Sequence, residues 1–432
     1  MDFNPSPLAR QMCDRLNAFI DRYVLPYNAA WHAAVQAGDY PPPFLEDLKA
    51  LAREEGLWNL FLPTLRDDEP GTRLSNLDYA PLAEAMGRLP WAAEVFNCSA
   101  PDTGNIELLH RFASPAQRAQ WLQPLLHGQC RSAFAMSEPD VASSDPTNLQ
   151  TTVRREGDTL VLNGRKWFIT GAAHPQCQLL IVLCRNADAD DSADPDSHHR
   201  HSMVLVPVGT PGVEVVRNIH VLHHHAPEGH CEIRLHNVRV PATALLGDWG
   251  QGFAMAQARL GPGRVHHCMR TIGQCELALQ LAAERALERH AFGKPLSEQS
   301  NVQEWLADSR IEIDQARWLV LHAAWLLDQG DAAEPRQVRA QVAAIKVVAA
   351  RLQQRVVDRA MQIFGAMGLS PDTPLAAFWT WGRFLRLMDG PYEVHLRTVA
   401  WQVLALARAG LGSHTAYFTT PEQLAAPPHL HA

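Results

Sequence analysis

The sequence predicts an α+β protein of three segments in series. These are an N-terminal all-helical domain over residues 1–130, a middle antiparallel β domain over 131–248, and a C-terminal domain of the four-helix-bundle type over 249–412, with a frayed tail at 413–432. Two changes in the period of the apolar residues carry this reading, one near Arg131 and one near Gly252. Between them apolar residues alternate, and on either side they recur at spacings of three and four. The third observation is size: 432 residues, 47% hydrophobic and 19% charged, can bury a large core and divide into two or three domains.

In the first segment, "FLEDLKALAREEGLW", "LDYAPLAEAMGRL" and "SPAQRAQWLQPLLHG" each gather apolar residues on one helical face. The second opens on "TTVRREGDTLVLNGRKWFIT", where Gly157-Asp158 and Asn163-Gly164 read as turns between short strands. "LLIVLCR", "HSMVLVPV" and "CEIRLHNVRVP" complete a mostly antiparallel sheet, and "NADADDSADPDSHHRHS" reads as a mobile surface loop. After Gly252 three stretches, "TIGQCELALQLAAERALERHAFG", "SNVQEWLADSRIEIDQARWLVLHAAWLLDQGD" and "RQVRAQVAAIKVVAARLQQRVVDRAMQIFGAMG", are long enough for an up-and-down bundle. "PLAAFWTWGRFLRLM" adds another helix. In the "DGPYEVH" that follows, Asp389 stands before Gly390-Pro391 as an N-cap residue stands before a helix.

Composition excludes several classes of function. A formal net charge of −8 with no Lys/Arg block argues against nucleic-acid binding. The N-terminus is polar and amphipathic from its first residues and no apolar run is long enough for a membrane span, so a cytoplasmic protein is expected. The eight cysteines are scattered with no C-x-x-C pair, which predicts reduced, mostly buried thiols. The runs His198–His201 and His223–His225 lack ordered acids to complete a ligand set, and no metal is expected. Dinucleotide, P-loop, zincin and nucleophile-elbow motifs are all absent.

The stretch "FAMSEPDVASSDPTNLQTTVRREGDTLVLNGRKWFITGAAHPQCQLLIVL", with "ERHAFGKPL" and "MQIFGAMGLSPDTPLA", resembles the acyl-CoA dehydrogenase family. The likeness runs from about Leu45 to Leu404. "RLGPGRVHHCMRTIG" and "DGPYEVH" further resemble the subgroup that animals fuse to a kinase-like domain, a domain not expected in these 432 residues. The resemblance implies FAD. It implies that Phe134, Met136 and Ser137 of "FAMSEP", with Phe168 and Thr170 of "KWFIT", face the isoalloxazine, Trp167 adding to the aromatic wall. It implies that Arg289 and Phe292 of "ERHAFG", with Gln362, Gly365 and Gly368 of "QIFGAMG", meet the pyrophosphate and adenine of a neighbouring subunit's FAD, hence a homo-oligomer, dimer or tetramer. Ser143, Arg264 and Gly390 fall at substrate-binding positions. By themselves the aromatics also read as sheet core, Ser143 as a loop cap, and Arg264 and Arg289 as solvated cations.

The family ends its active site with an acid followed by Gly, and Asp389-Gly390 occupies that place. The resemblance makes Asp389 the general base that removes the α-proton of an acyl-CoA while flavin N5 takes the β-hydride, giving a trans-2-enoyl-CoA, with an electron-transferring flavoprotein as acceptor. This is fatty-acid β-oxidation chemistry. Asp is one methylene shorter than the usual Glu, and Pro391 replaces a Thr. Glu393, one turn further on, is expected to pair with His395 or Arg397, and the alternative base position aligns with Gly263, which has no side chain. Two other functions fit the same residues: an acyl-CoA oxidase or flavoenzyme on a modified acyl chain, and a non-catalytic acyl-CoA-binding homologue.

Overall fold

The computed structural model describes residues 3–188, 197–222 and 226–409. The run His223–His225, residues 189–196 of the acidic insertion and the expected tail lie outside the described residues. Helices come first: α1 (Pro7–Phe19), α2 (Asn28–Ala37), α3 (Phe44–Glu54), α4 (Asn76–Gly87), the short α5 (Ala92–Val95), α6 (Asp102–Phe112), and α7 (Pro115–Gln117) and α8 (Gln123–Leu126), which flank a π-helical turn. Ser6, Ser75 and Ser114 cap α1, α4 and α7, each hydroxyl accepting a backbone N–H three residues on.

The sheet follows: β1 (Arg131–Ala135), β2 (Thr152–Glu156), β3 (Thr159–Thr170), β4 (Cys177–Asn186), β5 (His201–Pro207), β6 (Val213–Asn218), β7 (His230–Pro241) and β8 (Leu245–Leu246). The order β6-β7-β3-β2-β4-β5-β8 is antiparallel except where β2 meets β4, and β1 also pairs in parallel with β4. Gly157 (φ 59°) does turn β2 into β3, but Asn163-Gly164 is no turn. It lies inside β3 at a register shift. A Cβ on Gly164 would fall 2.4 Å from Thr151 Oγ1, so glycine serves close packing across a bulge.

The bundle comprises α9 (Gly252–Glu288), the hairpin β9 (His290–Ala291) and β10 (Lys294–Pro295), α10 (Ser300–Asp328), α11 (Pro335–Phe364), α12 (Leu375–Leu385) and α13 (Tyr392–Ala409). α9 runs unbroken through Gly261-Pro262-Gly263. Strand alternation places the sheet between two cores. Leu179, Ile181 and Leu183 of β4 join the helical core shared by both α segments, while Leu180, Val182 and Cys184 face the core inside the sheet. Seven of the eight cysteines are buried and all are free thiols. No helix among the described residues is long and apolar enough to cross a membrane.

Arg131, the first residue of β1, is buried against two acids of the N-terminal segment. Its Nη1 lies 2.5 Å from Glu94 Oε1, its Nε donates to Asp102, and its Nη2 donates to Ser99 Oγ at 3.0 Å. Asp102 also accepts from Ser132 N at 2.7 Å, and Glu94 accepts from Lys49 Nζ at 3.3 Å and Tyr40 OH at 2.7 Å. Burial works against the Glu94 carboxylate, but Arg131, His174 and Lys49 together hold it ionised, well below the usual carboxylate range.

Candidate active site

Asp389 lies in the turn between α12 and α13, and the structure corrects its expected role as an N-cap. The helix begins only at Tyr392, whose N–H donates to Arg386 O, and the Asp389 carboxylate accepts no backbone N–H among the described residues. Asp389 sits instead at φ 53°, a left-handed conformation that Asp and Asn tolerate better than other side chains. Gly390 continues at φ 97°, where a Cβ would fall 3.2 Å from His395 Nε2. The Asp389 main-chain oxygen accepts from Arg264 Nε at 3.0 Å and His395 Nε2 at 3.2 Å. These two bonds fix the turn.

The carboxylate points inward, its side chain 22% exposed, with Oδ2 3.6 Å from His267 Nε2. Burial pushes its pKa up, but His267, Lys346, Arg264 and Arg259 outweigh it, so Asp389 stays ionised below the ordinary carboxylate value. The bases around it are depressed. Burial carries His267 down to about 3 and His395 to about 4, and lowers Lys346, whose Nζ donates to Leu385 O. Arg259, lowered to about 10 by burial, stacks 4.1 Å over the Phe134 ring and donates to Asn105 Oδ1 at 2.7 Å. Neither competing base position supplies a rival. Glu393 is exposed and pairs with neither His395 nor Arg397, which stacks on Trp401; a Cβ at Gly263 would meet nothing within 4 Å.

The two β-domain motifs lie side by side because their charged members join. Lys166 of "KWFIT" is fully buried and spends its three N–H donors on Glu138 Oε1 (2.8 Å), Met136 O (2.9 Å) and Leu183 O (2.8 Å). Glu138 also accepts from Gln150 N and Thr151 N. Beside this clamp Trp167 N donates to Ser137 O at 3.0 Å. Phe168, at φ 51° on a bulge, is turned outward and 39% exposed. Thr170 Oγ1 lies 3.0 Å from His230 Nδ1. From there rings lead to the acid: His230 to Phe384 at 5.0 Å, Phe384 to Trp381 at 5.5 Å, and Trp381 to His267 at 6.3 Å between centroids.

The remaining expected cofactor residues gather at the other end of the bundle. Arg289 ends α9, and Phe292, at φ 54° in the β9–β10 turn, is 100% exposed. Arg285, one turn before Arg289, stacks on Phe364, next to Gly365 at the end of α11, with Gln362 exposed beside it. A Cβ at Gly365 would meet nothing, whereas one at Gly368 would fall 2.8 Å from Met361 O, so Gly368 is required by its own turn. Ser143 Oγ accepts from Glu138 N at 2.9 Å and closes its loop. Among the described residues no group of three or more His, Cys, Asp or Glu side chains is arranged to hold a metal ion.

The three domain models of one family match in order: acyl-CoA dehydrogenase N-terminal domain over residues 6–129, middle domain over 133–238 and C-terminal domain over 250–404. The chain belongs to the acyl-CoA dehydrogenase family. It is 52% identical to "Probable acyl-CoA dehydrogenase FadE2" of Mycobacterium tuberculosis, covering 93% of this chain and 96% of that protein. It is 46% identical to mouse acyl-CoA dehydrogenase family member 10, over 91% of this chain but only 37% of that longer protein. A solved candidate acyl-CoA dehydrogenase from Mycobacterium abscessus superposes with a TM-score of 0.86 at 48% identity, covering 93% of this chain and 99% of the other. The acyl-CoA dehydrogenases are flavoprotein oxidoreductases, and this member has surfaces that suit a flavin. Phe292 is fully exposed, Phe168 is 39% exposed with its ring 4.9 Å from that of Trp167, and the Ser137 hydroxyl makes no hydrogen bond among the described residues.

Sequence reasoning passed over His267, Lys346, Arg259, His230 and the Lys166–Glu138 pair. Lys166 and Glu138 had a signal: each is the one charged residue inside a motif otherwise apolar or hydroxylic. His267 had one too, since it lies inside "RLGPGRVHHCMRTIG", though no role was read for it; Lys346 had none, since a Lys within a long amphipathic helix reads as ordinary until the opposing loop is in place.

Proposed function

We propose that this acyl-CoA dehydrogenase family member is an FAD-dependent dehydrogenase that converts an acyl-CoA thioester to its trans-2-enoyl-CoA, with Asp389 as the general base. The observation that carries the reading is the ionised, inward Asp389 carboxylate at the end of an aromatic path from the "KWFIT" strand. When bound, FAD supplies the acceptor for the β-hydride at N5. The chain's own residues do the rest. Met136, Ser137, Phe168 and Thr170 orient the isoalloxazine, with Phe134 behind them under Arg259. Arg264 and Gly390 shape the turn that presents the base, so that Arg264 acts on Asp389 as well as on substrate. A carboxylate in a site that substrate closes to water gains basicity as its hydration is lost, which suits it to a C–H acid.

Arg289, Phe292, Gln362, Gly365 and Gly368 meet the distal half of FAD from a second copy of the chain. The exposed Phe292, Met367 and Leu369 at that end, and Trp401, Val403, Leu404 and Leu406 on α13, support a homo-oligomer. The electron acceptor would be an electron-transferring flavoprotein, and the reaction would belong to fatty-acid β-oxidation in the cytoplasm. A panel of acyl-CoA thioesters, mixed anaerobically with the yellow protein, tests this reading: at least one is expected to bleach the flavin. Retained flavin with no bleaching by any thioester would make the chain a non-catalytic binding homologue, and rapid oxygen uptake would make it an oxidase.

A further inference from the structure

Among the described residues His267 is the one side chain paired with the Asp389 carboxylate, and its second nitrogen is not idle. Nδ1 lies 3.1 Å from Arg270 Nη2. A guanidinium has donors and no acceptor, so Nδ1 accepts this bond and cannot carry the ring proton. The proton is therefore on Nε2, facing Asp389 Oδ2. Arg270 is itself fixed from the N-terminal segment. Its Nη1 donates to Cys98 O at 3.4 Å, and its carbonyl lies so close to α4 that a Cβ on Gly87 would fall 2.1 Å from it.

An imidazolium is disfavoured at this position by burial first, then by the adjacent Arg270, with Lys346 from α11 and Arg259 from α9 adding to it and Asp389 alone opposing. Trp381 on α12, its ring centroid 6.3 Å away, is uncharged, and the adjacent His266 is itself held neutral by burial. At 3.6 Å the Nε2–Oδ2 contact is longer than a formed hydrogen bond. Contacts of this kind in unliganded enzymes commonly tighten once substrate is bound.

We infer that His267, locked by Arg270 as the neutral Nε2–H tautomer, is the positioning residue for Asp389: it holds Oδ2 and leaves Oδ1 to face the substrate α-carbon. The inference rests on Asp389 being the base. In the step, the Cα–H bond breaks and the proton goes to Oδ1. The electron pair enters the forming Cα=Cβ bond as hydride leaves Cβ, for which FAD, when bound, would supply the acceptor. The proton then stays on Asp389, because the imidazole that touches it is held from the other side by a cation.

The test uses the FAD-loaded protein, with flavin bleaching followed by rapid mixing across pH, and ring-15N histidine NMR as a readout independent of turnover. His267→Ala is expected to slow bleaching about tenfold or more, since small displacements of a reacting group carry penalties of this size. Its KM is expected to change little. His267→Gln, which keeps an N–H donor, is expected to recover most of the rate. Arg270→Met releases Nδ1 and removes one of the causes that lower the imidazole pKa while burial remains, so the pKa rises but stays below its ordinary 6.5 and bleaching gains an acid limb below that value. In the wild type the NMR signal of His267, identified by its loss in His267→Gln, is expected to show the Nε2–H form down to about pH 5. An Nδ1–H tautomer or an imidazolium at neutral pH would overturn the inference, as would a wild-type rate and pH profile in His267→Ala. Asp389→Asn separates the two readings: if it bleaches at the wild-type rate the base assignment falls, and if it is inactive while His267→Ala is unaffected only the positioning role falls. If His267→Ala does not fold, His267→Gln, Arg270→Met and the NMR signal still decide.

Discussion

Replacing Asp389 by Asn removes a charge while leaving the local backbone in place. Asn tolerates φ 53° as Asp does, and the bonds from Arg264 Nε and His395 Nε2 go to the main-chain oxygen, which the substitution does not touch. Asp389→Ala would add roughly 1–2 kcal/mol of left-handed strain and confuse the comparison. General-base catalysis contributes about 10²–10⁴ in rate, which is about 2.7–5.4 kcal/mol of barrier. Flavin bleaching by acyl-CoA is therefore expected to slow at least about 10²-fold in Asp389→Asn, with FAD content and thioester binding retained. Stability follows from the sign of the pKa shift. The folded protein lowers the Asp389 pKa below 3.8, so the carboxylate contributes stability above that value and loses it as pH falls through the lower folded value. Asp389→Asn should thus melt below the wild type at neutral pH, with the gap closing in acid. Bleaching within about tenfold of wild type would refute the assignment.

Thr170→Val removes the hydroxyl that meets His230 Nδ1, costing about 1 kcal/mol, and is expected to shift the flavin spectrum or potential in a folded protein. An unchanged spectrum, potential and turnover would return Thr170 to a purely structural part. Arg289→Ala should weaken FAD retention, measured by flavin loss on gel filtration, with no change in the melting temperature of the FAD-free protein, because the side chain is exposed. Lys166→Met leaves Glu138 buried without its cation and is expected to cost about 3–5 kcal/mol in a denaturant titration; a loss below about 1 kcal/mol would show that the clamp is dispensable.

The order of helices, sheet and bundle was legible because apolar period survives in sequence, and β4 shows why: alternate residues meet two different cores. Asn163-Gly164 misled because a glycine needed for close packing on Thr151 has the same letters as a glycine needed for a turn. Asp389 misled in a similar way. Asp-Gly-Pro is a good helix start, but the turn is held by Arg264 and His395, partners that lie 125 residues before and six after it, and these pull the carboxylate inward. The family motifs named the residues expected to touch cofactor. They gave no role to His267 and Arg270, which one of them contains, or to Lys346, because the importance of these residues depends on which helix faces which.

The junction at Arg131, where the apolar period changes, looks in sequence like a place to splice related chains. The buried bonds of Arg131 to Glu94 and Asp102 make it the opposite. A chimera joined there inherits the guanidinium from one parent and both acids from the other, and keeps its charges matched only if the two parents agree at all three positions. Crossovers placed before Glu94 or after Ser132 keep this triad together as one inherited block, and then only the outer partners Tyr40, Lys49 and His174 of Glu94 need to agree between the parents.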